Sequence, residues 1–285
     1  MSRAAKRKSS QMTTRKMETG SDHLLCTVEA HVATITLNNP SSRNSMSEPL
    51  VAGLRRMLAE LAEDPDVRVL VLTGAGGAFC SGGDISSMAK TLAGGESPDL
   101  APMIEALRDA QNDISLRLYN FPKPTLAALP GPAAGAGMSL ALACDMRIAC
   151  DSAFMTPAFG RIGLSGDFGG SWYLSQLVGP ARAKEIYFLS QKLSAADCAE
   201  LGLVNRVVPD AELAEATAAL AAELAEQAPL ALRHMKKNHN LAREGGLQAA
   251  MDQEADSMIR TLLSQDHKAA ALAFMQKRKP VFHGK

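Results

Sequence analysis

The sequence is poor in the features that mark specialised protein classes. Its five cysteines (Cys26, Cys80, Cys144, Cys150, Cys198) are odd in number and never fall at CxxC spacing. That argues against a disulfide framework or a zinc knuckle and favours a reducing compartment, here the cytoplasm. The six histidines are scattered, with no HxxxH or HExxH arrangement, so no metal centre is expected. No apolar run reaches the roughly 18 residues needed to span a bilayer, so no membrane is expected as a partner. Thirty basic residues balance thirty acidic ones, leaving no overall charge to draw a polyanion. What remains is a chain of 285 residues with 46% hydrophobic content, enough for one large core or a core with an appendage.

Residues 1–22 stand apart. Arg3, Lys6, Arg7, Lys8, Arg15 and Lys16 face only Glu18 and Asp22, and apolar residues are sparse. This predicts a disordered basic tail. A composition rich in arginine and serine fits an organelle transit peptide, a nucleic-acid-binding arm or a plain extension alike. From residue 23 to 209, strand and helix patterns alternate. Residues 24–30 and 32–38 read as a hairpin, and Ser47 is placed to cap a helix over 48–62. Val67 to Thr73 reads as a strand buried on both faces, and a helix follows from about 103 to 119. Residues 210–285 turn to alanine-rich helical periodicity and carry no chemical motif. The pattern predicts an α/β core followed by a helical lobe.

Two stretches in the core carry chemistry. Residues 123–145 (KPTLAALPGPAAGAGMSLALACD) run from an apolar strand through a small-residue hinge into an apolar helix. That order places free backbone N–H groups at the positive end of a helix dipole, where an anion or a developing oxyanion can sit. The same glycines equally suit a tight turn with close helix–strand packing, and the residues alone leave both readings open. Residues 79–85 (FCSGGDI) repeat the same logic after the Val67–Thr73 strand. A dinucleotide-binding turn is excluded there, because Phe79 stands where its last glycine should be.

Phe79-Cys80-Ser81-Gly82-Gly83-Asp84-Ile85 resembles the F-x-x-G-x-D signature of the enoyl-CoA hydratase/isomerase (crotonase) superfamily. Lys123-Pro124 through Gly131, with Gly135-Ala136-Gly137 to Cys144-Asp145, resembles its second signature. Residues 181–209 and 277–282 are also similar to the family. The resemblance implies a crotonase-like spiral of ββα units with a C-terminal helical lobe, assembled as a homotrimer or a dimer of trimers. It implies an acyl-CoA thioester substrate, with no cofactor beyond the coenzyme A that the substrate carries. By motif position the N–H groups of Gly83 and Ala136 form an oxyanion hole, each donor contributing about 3–4 kcal/mol to an enolate-like transition state. Ser81, Gly82, Asp84, Ile85, Gly135 and Ser139 fall around the thioester. Arg43, Lys277 and Lys279 fall at positions that contact coenzyme A, and Met88, Met103 and residues 93–98 at the acyl pocket. For Asp84, capping of the following helix is the simpler role.

The family's hydratases activate water with two glutamates, and this chain has Ser139 and Ala158 where those should stand. One carboxylate remains nearby. Asp167, in RIGLSGDFGGSW, matches the acid of the Δ3-Δ2 enoyl-CoA isomerases and the ring-opening isomerases of aromatic-acid catabolism. There a single group carries a proton from C2 to C4. Its apolar setting is expected to raise its pKa into general-base range. The plain alternative is a loop aspartate making an Asx turn before Gly169 and Gly170. The resemblance thus favours a double-bond isomerase. A hydratase or other acyl-CoA lyase or isomerase stands second, and an RNA-binding protein using the basic tail stands third.

Overall fold

Alternating burial along the first hairpin fixes the sheet's two faces. The computed structural model describes residues 14–92 and 99–285. In β2 (Leu24–Glu29) and β3 (Val32–Leu37), paired antiparallel, Leu24 faces Leu37, Cys26 faces Ile35 and Val28 faces Ala33, all buried. Their intervening residues face outward, as a period of two requires. Helix α1 (Glu48–Glu63) covers the buried face with Leu50, Leu54, Met57, Leu58 and Leu61. Ser47 occupies its N-cap without a capping bond, because its hydroxyl pairs with His23 Nδ1 at 2.8 Å.

The expectation of a disordered tail through residue 22 does not hold for residues 15–17. Arg15–Met17 forms strand β1, antiparallel to β2, with Arg15 opposite Val28 and Met17 opposite Cys26. Arg15 also pairs with the Asp64 carboxylate. Residues 1–13, which hold Arg3, Lys6, Arg7 and Lys8, lie outside the described residues.

Parallel strands β4 (Val69–Gly74), β5 (Thr125–Leu129), β7 (Met146–Cys150) and β10 (Arg206–Val208) complete a seven-stranded sheet in the order β1-β2-β3-β4-β5-β7-β10. A second, smaller layer contains β6 (Ala133–Ala134), β8 (Phe154–Thr156) and β9 (Leu193–Ser194), extended by single bridges from Met46 to Gly83 and from Cys80 to Ala133. Four main strands each feed a short second-layer segment and then a helix. β3 leads through Met46 to α1, and β4 through Cys80–Gly83 to α2 (Ile85–Leu92). β5 leads through β6 to α5 (Ala136–Ala143), and β7 through β8 to α6 (Gly170–Val178). This is the spiral of ββα units.

Between α2 and β5 run α3 (Leu100–Gln111), a π-turn over Asn112–Leu116 and the short α4 (Arg117–Tyr119). After α6 come α7 (Pro180–Phe188) and α8 (Ala195–Glu200), the latter capped by a reciprocal Ser194–Asp197 box. The C-terminal region holds α9 (Leu213–Ala225), α10 (Pro229–Leu262, broken at Gly246) and α11 (Gln265–Met275) before a non-helical end. The buried carboxylate of Asp266 accepts from the N–H groups of His283 and Gly284 and holds the last residues against α11.

Candidate active site

Two glycine turns are welded together by backbone contacts. The Ala134 N–H donates to the Cys80 carbonyl at 2.9 Å, and the N–H groups of Phe79 and Cys80 both reach the Pro132 carbonyl. Gly82 adopts φ +95, and a Cβ there would fall 2.8 Å from Ala134 O and 3.3 Å from Ala136 N. Only a glycine lets the two chains approach so closely. Beneath them lies fully buried Asn44. Its Nδ2 donates to the carbonyls of Ala75 (2.9 Å) and Ala78 (2.8 Å), and its Oδ1 accepts from Asn39 N–H.

Gly83 stands just before α2, and Ala136 is the first residue of α5. Among the described residues no protein acceptor takes either N–H. Both N–H groups stand at helix starts, with a Cβ on Gly82 reaching 3.3 Å from Ala136 N. Gly135, at φ 53 and ψ −126, makes the reversal that presents Ala136, and its own N–H is tied to Thr156 O at 3.0 Å.

Asp167 lies between Gly166 (φ +113) and Phe168 (φ +51), in the loop before α6. Its Oδ1 is buried without a hydrogen-bond partner. Desolvation alone pushes the carboxyl up from its usual 3.8 to about 6. The titratable groups that face it are Cys80 and Tyr187, each pushed up to about 12 mainly by burial. Both are neutral at physiological pH, so neither holds Asp167 ionised. The Ser139 hydroxyl donates to the Asp167 carbonyl at 3.0 Å, with the Gly135 carbonyl at 3.4 Å. A Cβ on Gly170 would fall 2.3 Å from Ser139 Oγ and 2.4 Å from the Tyr187 hydroxyl, so this glycine lets both side chains close on the loop.

The remaining expected residues divide. Ser81 donates from its hydroxyl to Ser42 O and from its N–H to Arg43 O, which brings exposed Arg43 to the edge of the Gly82–Gly83 turn. Asp84 Oδ1 accepts from Ser87 N–H at 3.1 Å, a cap on α2, and Ile85 is half exposed beside it. Lys277 is exposed and Lys279 pairs with Glu226, both exposed. No recorded contact brings either lysine to the turns within one chain. Residues 93–98 lie outside the described residues, and Met103 is exposed.

Two surface cavities lie away from these turns. One of about 660 Å³ separates the sheet from α9 beside Thr34, Thr73 and Thr217. Another of about 350 Å³ lies under α10 beside Arg147, Lys236 and Arg243. Neither touches Gly83, Ala136 or Asp167, so cavity size does not locate this site. Asn44, Gln111, Ser115 and Tyr187 support it without having been read from the sequence. Only the i, i+4 spacing of polar Gln111 and Ser115 in a helix offered a signal.

A family model described as Enoyl-CoA hydratase/isomerase matches residues 27–285. The chain is 38% identical over 264 residues to the 1,2-epoxyphenylacetyl-CoA isomerase of Escherichia coli (strain K12), covering 93% of this chain and 99% of that one. It is 37% identical to a probable enoyl-CoA hydratase of Rhodobacter capsulatus, over 89% of this chain and 95% of that one. Among solved structures, enoyl-CoA hydratase subunit I of Geobacillus kaustophilus HTA426 superposes with a TM-score of 0.85 at 36% identity, covering 93% of this chain and 100% of that one.

Proposed function

The chain belongs to the enoyl-CoA hydratase/isomerase family, and from that premise we propose that it is a double-bond isomerase of enoyl-CoA thioesters. The observation that carries this reading is the buried, unpartnered Asp167 oxygen in the loop that Ser139 ties to the start of α5. The Asp167 carboxylate takes a proton from C2 of a 3-enoyl thioester. The C2–H electron pair moves into the thioester, and the oxygen that gains charge is held by the N–H groups of Gly83 and Ala136. The protonated Asp167 then returns the same proton to C4. The C3–C4 double bond becomes a C2–C3 double bond, with no net gain or loss of atoms. One carboxyl group serves both steps, and no cofactor is called for beyond the coenzyme A of the substrate.

Hydration is the second reading, favoured by the hydratase names among the relatives. It needs a group to activate water. Ser139, at one expected glutamate position, is engaged with backbone carbonyls, and Ala158 offers no acid. Matched 3-enoyl-CoA and trans-2-enoyl-CoA, offered to the purified protein with products separated by chromatography, test the choice. Conversion of the 3-enoyl form without water uptake is expected, whereas rapid 3-hydroxyacyl-CoA formation would overturn the shuttle. The name of the Escherichia coli relative makes ring-bearing thioesters the second panel.

In our reading the enzyme assembles as a trimer or a dimer of trimers. Exposed Met258 and Ile259 on α10, Leu263 just after it, and Leu272, Phe274 and Met275 on α11 give it an apolar face to cover. Light scattering should then give three or six times the 30.1 kDa chain mass. The five unpaired thiols suit the cytoplasm, and no described helix is long and apolar enough to cross a membrane.

A further inference from the structure

The peptide unit joining Asp167 to Phe168 is gripped at both ends. Its carbonyl accepts from the Ser139 hydroxyl at 3.0 Å and from Gly170 N–H at 3.2 Å. Its N–H donates to Gln111 Oε1 at 2.9 Å. One residue on, the Phe168 carbonyl accepts from the hydroxyl of buried Ser115 at 2.6 Å. Such a grip is needed, because Phe168 sits at φ +51, a left-handed conformation that is costly for a bulky side chain and persists only when its surroundings enforce it.

The helix that supplies two of these groups is itself unusual. Between Gln111 and the start of α4 it widens into a π-turn over Asn112–Leu116, a form that is rare and concentrates at functional sites. Gln111 and Ser115, at either end of that widening, take the N–H and the carbonyl of the same residue. Ser139 approaches the peptide from α5, the helix that also presents Ala136.

We propose that Gln111 and Ser139 are positioning residues for the proton shuttle, fixing the plane of the 167–168 peptide and so the direction in which the Asp167 carboxylate points. The inference rests on the reading of Asp167 given above. Rotating that peptide changes ψ of Asp167 and φ of Phe168 together and loosens the segment that carries the carboxylate. A shuttle serving two carbons tolerates little of this, since misplacement by about 1 Å can cost roughly a hundredfold in rate. The groups that face Asp167 from the elements packed against it, Cys80 and Tyr187, are neutral at physiological pH. Neither of these two groups offers a freed carboxylate a positive charge, and it turns to water.

The test uses the full-length protein and two readouts. Gln111→Met keeps the side-chain length and loses the acceptor, Gln111→Glu keeps an acceptor, and Ser139→Ala removes the donor on the other side. Infrared titration follows the protonated-carboxyl band that Asp167→Asn abolishes, and needs no substrate. We expect that band's midpoint to fall from about 6 toward 3.8 in Gln111→Met and Ser139→Ala. On 3-enoyl-CoA, kcat should drop roughly tenfold to a hundredfold with KM changed less than about twofold, and Gln111→Glu should recover most of the turnover. Variants that lose thermal stability but keep both midpoint and kcat would mark the grip as structural and overturn the proposal. If the wild type fails to isomerise, or Asp167→Asn still does, the functional reading fails. The midpoint then still decides whether Gln111 and Ser139 hold the carboxyl in place.

Discussion

The bond from Ala134 N–H to Cys80 O, at 2.9 Å, joins the turn before α5 to the turn before α2. It makes one rigid unit of two chain segments that are more than fifty residues apart in sequence. Through it, the spacing of the Gly83 and Ala136 donors becomes a property of backbone packing and not of any side chain.

Gly137→Ala tests that packing. A Cβ at this position would stand 2.3 Å from Cys80 O and 2.7 Å from Cys80 Cβ, and backbone cannot swing aside as a flexible side chain can. Overpacking of this kind costs about 1–3 kcal/mol, sometimes more. The displaced turn should also lower kcat/KM about a hundredfold by moving one oxyanion donor. Thermal unfolding and initial rates on the same preparation check both effects. Unchanged rates would mean that the two turns need not be so close.

Asn44→Ala should be among the most damaging single changes outside the site. It leaves the carbonyls of Ala75 and Ala78 and the N–H of Asn39 without their buried partner, and it places alanine at φ +58, which asparagine tolerates better. A loss of about 2–4 kcal/mol is expected in denaturant unfolding. Asn44→Asp should do no better than alanine, because it keeps the acceptor but turns a carboxylate toward two carbonyls. Rescue by aspartate would show that the Nδ2 bonds matter little.

Much of this architecture was legible because burial imposes periodicity. The alternation of β2 and β3 and the helix of α1 follow local rules that a sequence displays. The two glycine turns and Asp167 were legible through their motifs. Other features depend on partners far along the chain. Strand β1 is two basic residues and a methionine that become ordered by pairing with β2 and by the Arg15–Asp64 contact, so composition alone assigned them to the tail. The π-turn has no period of its own, and Gln111 and Ser115 acquire meaning only opposite Phe168. Ser47 has the right chemistry for a cap but spends its hydroxyl on His23.

Asp167→Asn should abolish isomerisation while the fold and thioester binding survive. In the wild type the base must be ionised, and its pKa stands at about 6. We expect kcat/KM to be flat above that value and to fall about tenfold per pH unit below it. Initial rates measured on both sides of pH 6 check the profile. A profile whose acid limb lies near 4 would place the base in water, contrary to its burial.

The same substitution should stabilise the protein at neutral pH, and the sign follows from linkage. The folded state raises the Asp167 pKa from 3.8 to about 6, so between those values the folded protein binds more proton than the unfolded chain. Stability contributed by this group is therefore present below about 4 and is lost as pH rises through about 6. Above that, the buried carboxylate is a standing cost: roughly two pK units at about 1.4 kcal/mol each, up to ~3 kcal/mol. Asparagine removes the charge but leaves a buried amide oxygen without a partner, which returns part of the gain. Denaturant unfolding should show Asp167→Asn more stable than wild type by about 1–2 kcal/mol at neutral pH, with the difference shrinking as the pH is lowered toward 4. The catalytic carboxylate would then be held against the fold's own preference, as the trade between stability and activity expects. A variant less stable than wild type at neutral pH would instead show that Asp167 is a structural residue.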